Sequence, residues 1–155
     1  MRNNLINIGK NSKKAFLFQI KINKKNKVLK DYSQLINRNK KLIINENKKD
    51  VNIAQKRNIG ENLIKRLILD SKKISEIISS INEIIKLRDP TNITLQKWKR
   101  PNGLKISRVS IPIGVIGIIY ESRPNVTSDI ASLCFKSGNP VILKGGSEAF
   151  YSNLI

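Results

Sequence analysis

The sequence has no histidine and a single cysteine, Cys134. That count excludes a disulfide within the chain and a Cys/His zinc site, so no metal centre is expected. One unpaired thiol suits a reducing, cytoplasmic setting. Aromatic residues make up 5% of the 155 positions, and there are only 8 Gly and 5 Pro, which excludes collagen-like and low-complexity classes. No apolar run reaches the roughly 18 residues of a membrane span. The longest, Ile111 to Tyr120, is interrupted by Pro112, Gly114 and Gly117. The opening MRNNLINIGKNSKK lacks the continuous apolar core of a secretory signal.

Acidic residues are also scarce: 11 Asp and Glu stand against 30 Lys and Arg, a net charge of +19. Such an excess can mark a nucleic-acid or membrane-surface binder. Here 27 of the 30 basic residues lie in residues 1–110, with 8 of the 11 acidic ones. Lys, Asn and Ile are over-used together and share A/T-rich codons, which accounts for the excess without a ligand. No helix-turn-helix or zinc pattern and no Arg-aromatic interleaving is present. The pairs Lys24-Lys25, Lys40-Lys41, Lys48-Lys49 and Lys72-Lys73 therefore read as solvated helix faces. Neither nucleic acid nor a membrane is an expected partner.

What is there begins with helical periodicity up to about Leu87. Ile74, Ile77, Ile78, Ile81, Ile84 and Ile85 share one face, with Asp70 or Ser71 as N-cap. Val28, Leu29, Tyr32, Leu35 and Ile36 mark a second amphipathic helix. Leu63, Ile64, Leu67 and Ile68 mark a third, starting after Gly60. Asp89-Pro90 ends this part, because proline restricts the residue before it. Ile93–Arg100 and Leu104–Ile111 read as two strands around the turn Pro101-Asn102-Gly103.

The apolar run Val115–Tyr120 fits a strand buried on both faces of a parallel sheet. Val126, Ile130, Leu133 and Cys134 then give helical spacing up to Gly138, a C-terminal cap. Val141-Ile142-Leu143 is a second strand, and Gly145-Gly146-Ser147-Glu148 opens another helix. This is a βαβ unit, so the fold class is α/β. Ligands of such sheets lie beyond the carboxyl ends of the strands, where Glu121-Ser122-Arg123-Pro124-Asn125 and Lys144-Gly145-Gly146-Ser147-Glu148 fall. A lysine followed by two glycines and a helix start combines a cation, close backbone approach and a positive dipole end, which suits a ribose or phosphate.

The stretches Ile111–Val126, with its Tyr-Glu-Ser-Arg-Pro-Asn-Val ending, Ser132–Asn139 and Val141–Glu148 resemble the first βαβ unit of the glutamate-5-semialdehyde dehydrogenase (gamma-glutamyl phosphate reductase) family. That family lies within the aldehyde dehydrogenase superfamily, which shares the Pro-x-Gly-Val opening and the Gly-Asn…Lys ending. The resemblance implies an aldehyde dehydrogenase-like fold in part. Residues 1–90 would be the helical lead of the cofactor domain, 91–111 a β-hairpin used for oligomerisation, and 112–155 the first βαβ unit of a Rossmann-like sheet.

It also implies a reaction, the NADPH-dependent reduction of gamma-glutamyl phosphate to glutamate-5-semialdehyde with release of phosphate, in proline biosynthesis. By position, Asn125 would stabilise the oxyanion of the reacting carbonyl. Lys144 would bind the adenosine ribose and 2′-phosphate of NADP, with Gly145, Gly146 and Ser147 lining that pocket. Arg123 would be either a substrate-carboxylate ligand or a structural pairing, and Asn125 could equally be a helix N-cap. Expected partners are the substrate pair, further copies of the same chain, and the glutamate 5-kinase that supplies the acyl phosphate. The family's cysteine nucleophile and catalytic domain are expected beyond residue 155, with Cys134 a buried structural thiol. From the residues alone two other readings stay open: a basic protein binding RNA or acidic partners, and an inactive remnant.

Overall fold

The computed structural model describes residues 2–18 and 20–155. Met1 and Gln19, both within the expected helical lead, lie outside them. Five helices come first: α1 (Arg2–Phe16), α2 (Ile22–Arg38), α3 (Lys40–Lys56), α4 (Glu61–Leu67) and α5 (Ser71–Lys86). A hairpin of β1 (Thr94–Lys99) and β2 (Lys105–Val109) follows. The chain then runs through β3 (Ile116–Ile119), α6 (Pro124–Lys136), β4 (Val141–Lys144), a 3-10 turn at Ser147–Ala149 and α7 (Phe150–Leu154). None of the described helices is long and apolar enough to cross a membrane.

The isoleucine stripe forms the expected core. Asp70 caps α5 by accepting the Lys73 N–H at 2.7 Å, which satisfies one of the donors a helix start leaves free. Ile74, Ile77, Ile81 and Ile84 are all buried against Leu29 and Ile36 of α2 and against Leu69. Each such burial stabilises by roughly 1.5–3 kcal/mol before entropy is counted. Tyr32 packs on the same cluster, whereas Val28 and Leu35 are exposed. The stripe read for α2 is thus narrower than its apolar residues.

The lysine pair at 24–25 departs from expectation. Lys25 is 3% exposed, not solvated. Its ammonium donates to both Asp89 carboxylate oxygens at 3.1–3.2 Å and to the Lys136 carbonyl at 3.1 Å. Lys136, also buried, donates to Asn26 Oδ1 at 2.6 Å and to the Ile85 carbonyl at 2.9 Å. The two accepting carbonyls belong to the last turns of α6 and α5, where free C=O groups and the helix dipole favour a cation. Burial pushes Lys136 below its ordinary value, and Lys25 adds to that, while Asp89 opposes it. The inward face of α6 is polar as well: Ser128, Ser132 and Lys136 are buried on it, while Leu133 is exposed.

β1 and β2 pair antiparallel with a bulge between Thr94 and Gln96. Nearly every hairpin residue is exposed, Leu95, Trp98 and Leu104 included. β3 and β4 pair parallel, with Ile116 opposite Val141 and Ile119 opposite Lys144. The reading of β3 as buried on both faces is corrected. Its exposure alternates, Ile119 being 78% exposed while Ile116 and Ile118 are half-buried, as in a strand covered on one face only. Gly138 ends α6 with φ +73°, a conformation that favours glycine. A Cβ there would stand 3.2 Å from Pro112 Cγ.

Asp89 is the one carboxylate facing two buried lysines, and this makes it testable. Burial alone would push its pKa up, but bonds from Thr91 and Lys25 outweigh that and hold it below its ordinary 3.8. A depressed carboxylate contributes stability that is present above the unfolded value and lost as pH falls through the folded one. Asp89→Ala should therefore cost about 3 kcal/mol at pH 7 by leaving buried charge unpaired, and should flatten the loss of stability below about pH 4. Urea denaturation midpoints across that pH range measure both, and an unchanged midpoint at pH 7 would rule the pair out as a support.

Candidate functional site

The parallel register brings β3 and β4 to an end at the same level. Tyr120 N–H donates to the Lys144 carbonyl at 3.1 Å, so the loops 121–123 and 145–146 leave the sheet side by side. The residues singled out in the sequence sit on these loops, on the helix starts that follow or, for Lys144, at the end of β4. Lys144 is exposed at the end of β4, and its ammonium makes no ion pair among the described residues. Arg123 is exposed at the N-cap position of α6 and makes no capping bond with its side chain.

Asn125 is not the N-cap. Pro124 takes the first helical position, where its missing N–H costs nothing, and this puts Arg123 at the cap and Asn125 inside the first turn. Its half-buried side chain makes no hydrogen bond among the described residues and is free to meet a ligand.

Gly145 and Gly146 are small for different reasons. A Cβ on Gly145 would lie 2.6 Å from Asn153 Nδ2 and 3.2 Å from the Tyr120 hydroxyl, so α7 and the end of β3 close over that residue. Over Gly146 it is the Glu148 carboxylate that closes. Ser147 opens the 3-10 turn and is exposed.

Five residues with no role assigned from the sequence hold these loops. Glu148 Oε1 accepts the Ser122 N–H at 2.6 Å and the Ser122 hydroxyl at 2.9 Å. Ser122 is 2% exposed with φ +45°, a region that side-chain-bearing residues seldom adopt. Burial pushes the Glu148 carboxyl up, yet its own N–H and the two Ser122 donors prevail and hold it below its ordinary 4.5. Tyr120 Oη is hydrogen-bonded to Thr127 Oγ1, which donates to Asn153 Oδ1 at 2.7 Å. The hydroxyl of Tyr120 is then the donor in the first bond, since Thr127 has a single proton to give.

α7 in turn hangs on α3. Ala149 stands at its N-cap and has no side-chain acceptor, so Asp50 supplies one from α3. The Asp50 carboxylate accepts the N–H groups of Tyr151 at 3.0 Å and Ser152 at 2.7 Å, and the Ser152 hydroxyl at 2.7 Å. Asn47, one helical turn earlier, donates to the Leu67 carbonyl at 2.9 Å and Ser152 Oγ at 3.0 Å, and accepts the Leu69 N–H at 2.7 Å. The signal for both was the spacing Asn47, Asp50, Ala54 on the buried face of α3, polar residues where an apolar stripe belongs.

Cys134 is buried on α6, and burial pushes its thiol above the ordinary 9.0. It is therefore protonated and a poor nucleophile. A cavity of about 1040 Å³ lies elsewhere, lined by Phe16, Val28, Phe135, Ser132 and Val141 among others. It opens beside Pro112 and Gly138–Val141, at the amino ends of the strands, and none of the sequence-selected site residues lines it.

Comparison with known proteins gives consistent likenesses. No family model matches the chain. The gamma-glutamyl phosphate reductase of Nautilia profundicola is 54% identical over 130 residues, 84% of this chain and 32% of that protein. The crystal structure of gamma-glutamyl phosphate reductase from Thermotoga maritima superposes with a TM-score of 0.92 at 41% identity, covering 97% of this chain and 37% of that one. The Saccharomyces cerevisiae structure of the same name gives 0.90 at 32% identity, over 94% and 38%. The chain thus spans about a third of the length of the proteins it resembles. In sequence and in backbone alike, what this chain matches is the amino-terminal part of the gamma-glutamyl phosphate reductase family.

Proposed function

We propose that this chain provides the first strand pair and the strand-end loops of an NADPH-dependent reductase that converts gamma-glutamyl phosphate to glutamate-5-semialdehyde and phosphate. The observation that carries the reading is the placement of Lys144. It is an ammonium with no ion pair among the described residues, at the carboxyl end of a parallel strand, beside two glycines and a turn start, on a backbone that superposes on named reductases. Nothing in the comparisons favours an RNA-binding or acidic-partner reading of the basic residues.

The residues fit the adenosine end of NADPH. Lys144 would bond the ribose and attract the 2′-phosphate, with Gly145, Gly146 and Ser147 forming the wall. A carboxylate beside that phosphate would repel it. The one carboxylate of the loop, Glu148, is engaged by two Ser122 donors. The cofactor, when bound, supplies hydride. Asn125, with a side chain unengaged in the first turn of α6, would donate to the oxygen of the reacting carbonyl as charge develops there. Arg123, exposed at the same helix start, would draw the substrate carboxylate toward it.

The nucleophile is not Cys134. A protonated thiol in a helix interface, with no histidine anywhere in the chain, has neither the ionisation nor the access that attack on an acyl phosphate needs. Oligomerisation belongs to the hairpin, whose exposed Leu95, Trp98 and Leu104 have no cover within the chain. An isolated two-stranded ribbon is marginal in water.

Three outcomes test this reading. Lys144→Ala should weaken NADPH binding by roughly 10- to 100-fold, the scale of a charge-assisted hydrogen bond, and NADH much less. Fluorescence titration of both cofactors decides it, and equal affinities in wild type and variant would place Lys144 outside the site. The purified chain should show no NADP- and phosphate-dependent oxidation of glutamate-5-semialdehyde; turnover abolished by Cys134→Ala in a folded variant would overturn the assignment of that thiol. Amides of β1 and β2 should exchange rapidly in a monomer and slowly in any oligomer, and strong protection in a demonstrated monomer would remove the hairpin from the interface.

A further inference from the structure

We infer that Glu148 is a positioning residue, one that locks the Ser122–Asn125 loop to the Lys144–Ser147 loop so that the two halves of the candidate site move as one body. Ser122 holds a left-handed backbone conformation. Its φ of +45° is unfavourable for a residue with a Cβ, and it is 2% exposed, so neither glycine's freedom nor water stabilises that conformation. Something outside the loop has to hold it.

Among the described residues the only side chain bonded to Ser122 is Glu148, through one carboxylate oxygen that accepts both the backbone N–H and the hydroxyl. These are charge-assisted bonds in a part-buried setting, the strong kind. Ser122 directly precedes Arg123, the N-cap of α6, and Asn125 lies in that helix's first turn. The backbone angle of Ser122 therefore sets the direction in which Arg123 and the α6 start leave the sheet. Glu148 itself stands four residues after Lys144, with its carboxylate over Gly146.

A second connection runs in parallel. The Tyr120–Thr127–Asn153 chain joins the end of β3, the first turn of α6 and α7, and Asn153 closes over Gly145. Among the described residues no side-chain hydrogen bond joins this connection to Ser122 or Glu148. Loss of Glu148 should consequently free the 121–125 loop while leaving α6 and α7 attached. A merely structural glutamate would instead loosen everything it touches.

The functional meaning of the lock rests on the cofactor reading above, and the experiment separates the two. Hydrogen exchange of the full chain is measured without ligand for wild type, Glu148→Ala, Glu148→Gln and Ser122→Ala. In Glu148→Ala, amides of 121–125 should exchange roughly tenfold faster or more, the scale of a lost charged hydrogen bond, with the rest of α6, α7, α2 and α5 unchanged. Glu148→Gln keeps an acceptor oxygen and should restore most of the protection. Ser122→Ala, which loses one bond of the two, should fall between. Unchanged exchange at 121–125, or a rise spread evenly over the chain, would overturn the proposal. NADPH titration of wild type against Lys144→Ala is read separately: equal affinities sink the cofactor reading, while the ligand-free comparison still decides the lock.

Discussion

The parallel pairing of β3 with β4 sets where both candidate loops begin. Ile119 stands opposite Lys144, and the crossover through α6 returns the chain to that register. Asn139 contributes at the other end by accepting the Gly114 N–H at 3.0 Å, which fixes the approach to β3 as β4 starts. A slip of one residue would turn every side chain to the opposite face and would carry Lys144 out of line with Tyr120. The loops need little of their own to stay adjacent, since the ladder has already placed them. What they need is orientation, and that comes from Glu148, Thr127 and Asn153.

The helical part serves that orientation more than its distance suggests. Asp50 and Asn47 on α3 hold the start of α7, and α7 holds Gly145. Lys25 of α2, Asp89 and Lys136 tie the far end of α6 to α2 and to the last turn of α5. Thus α6 is fixed at its carboxyl end by buried charge and at its amino end by the Tyr120–Thr127–Asn153 chain. The surplus of lysine in residues 1–110 is therefore not uniform in meaning. At least Lys25 is internal and structural, while Lys24, Lys41, Lys48 and Lys72 are exposed, as expected of solvated faces.

Periodicity made the apolar framework legible. The isoleucine face of α5, its Asp70 cap, the hairpin around Pro101-Asn102-Gly103 and the βαβ order all follow from spacing and turn chemistry, and they stand as read. The supports of the site were not legible for a physical reason. Lys25 bonds Asp89 across 64 residues of sequence, Thr127 meets Asn153 across 26 and Asp50 meets Ser152 across 102. A pattern of apolar residues reports which face turns inward, not which polar group waits there. Asn125 shows the same limit locally. Asparagine is a favoured N-cap, but Pro124 at the first helical position decides the cap, and it moves by two residues.

The exposed apolar residues are not scattered at random. Ile111 and Ile113 on the approach to β3, Ile119 at its end, and Leu154 and Ile155 beside α7 are all more than half exposed. They cluster around a sheet of two strands, each with one unpaired edge. Parallel sheets occur almost only with both faces covered, and unpaired strand edges attract further strands. Burying these side chains would stabilise by roughly 1.5–3 kcal/mol apiece, so the open side of this sheet is where additional polypeptide would contribute most. Lys144 pairs with Ile119 at the end of the same ladder and is exposed with it.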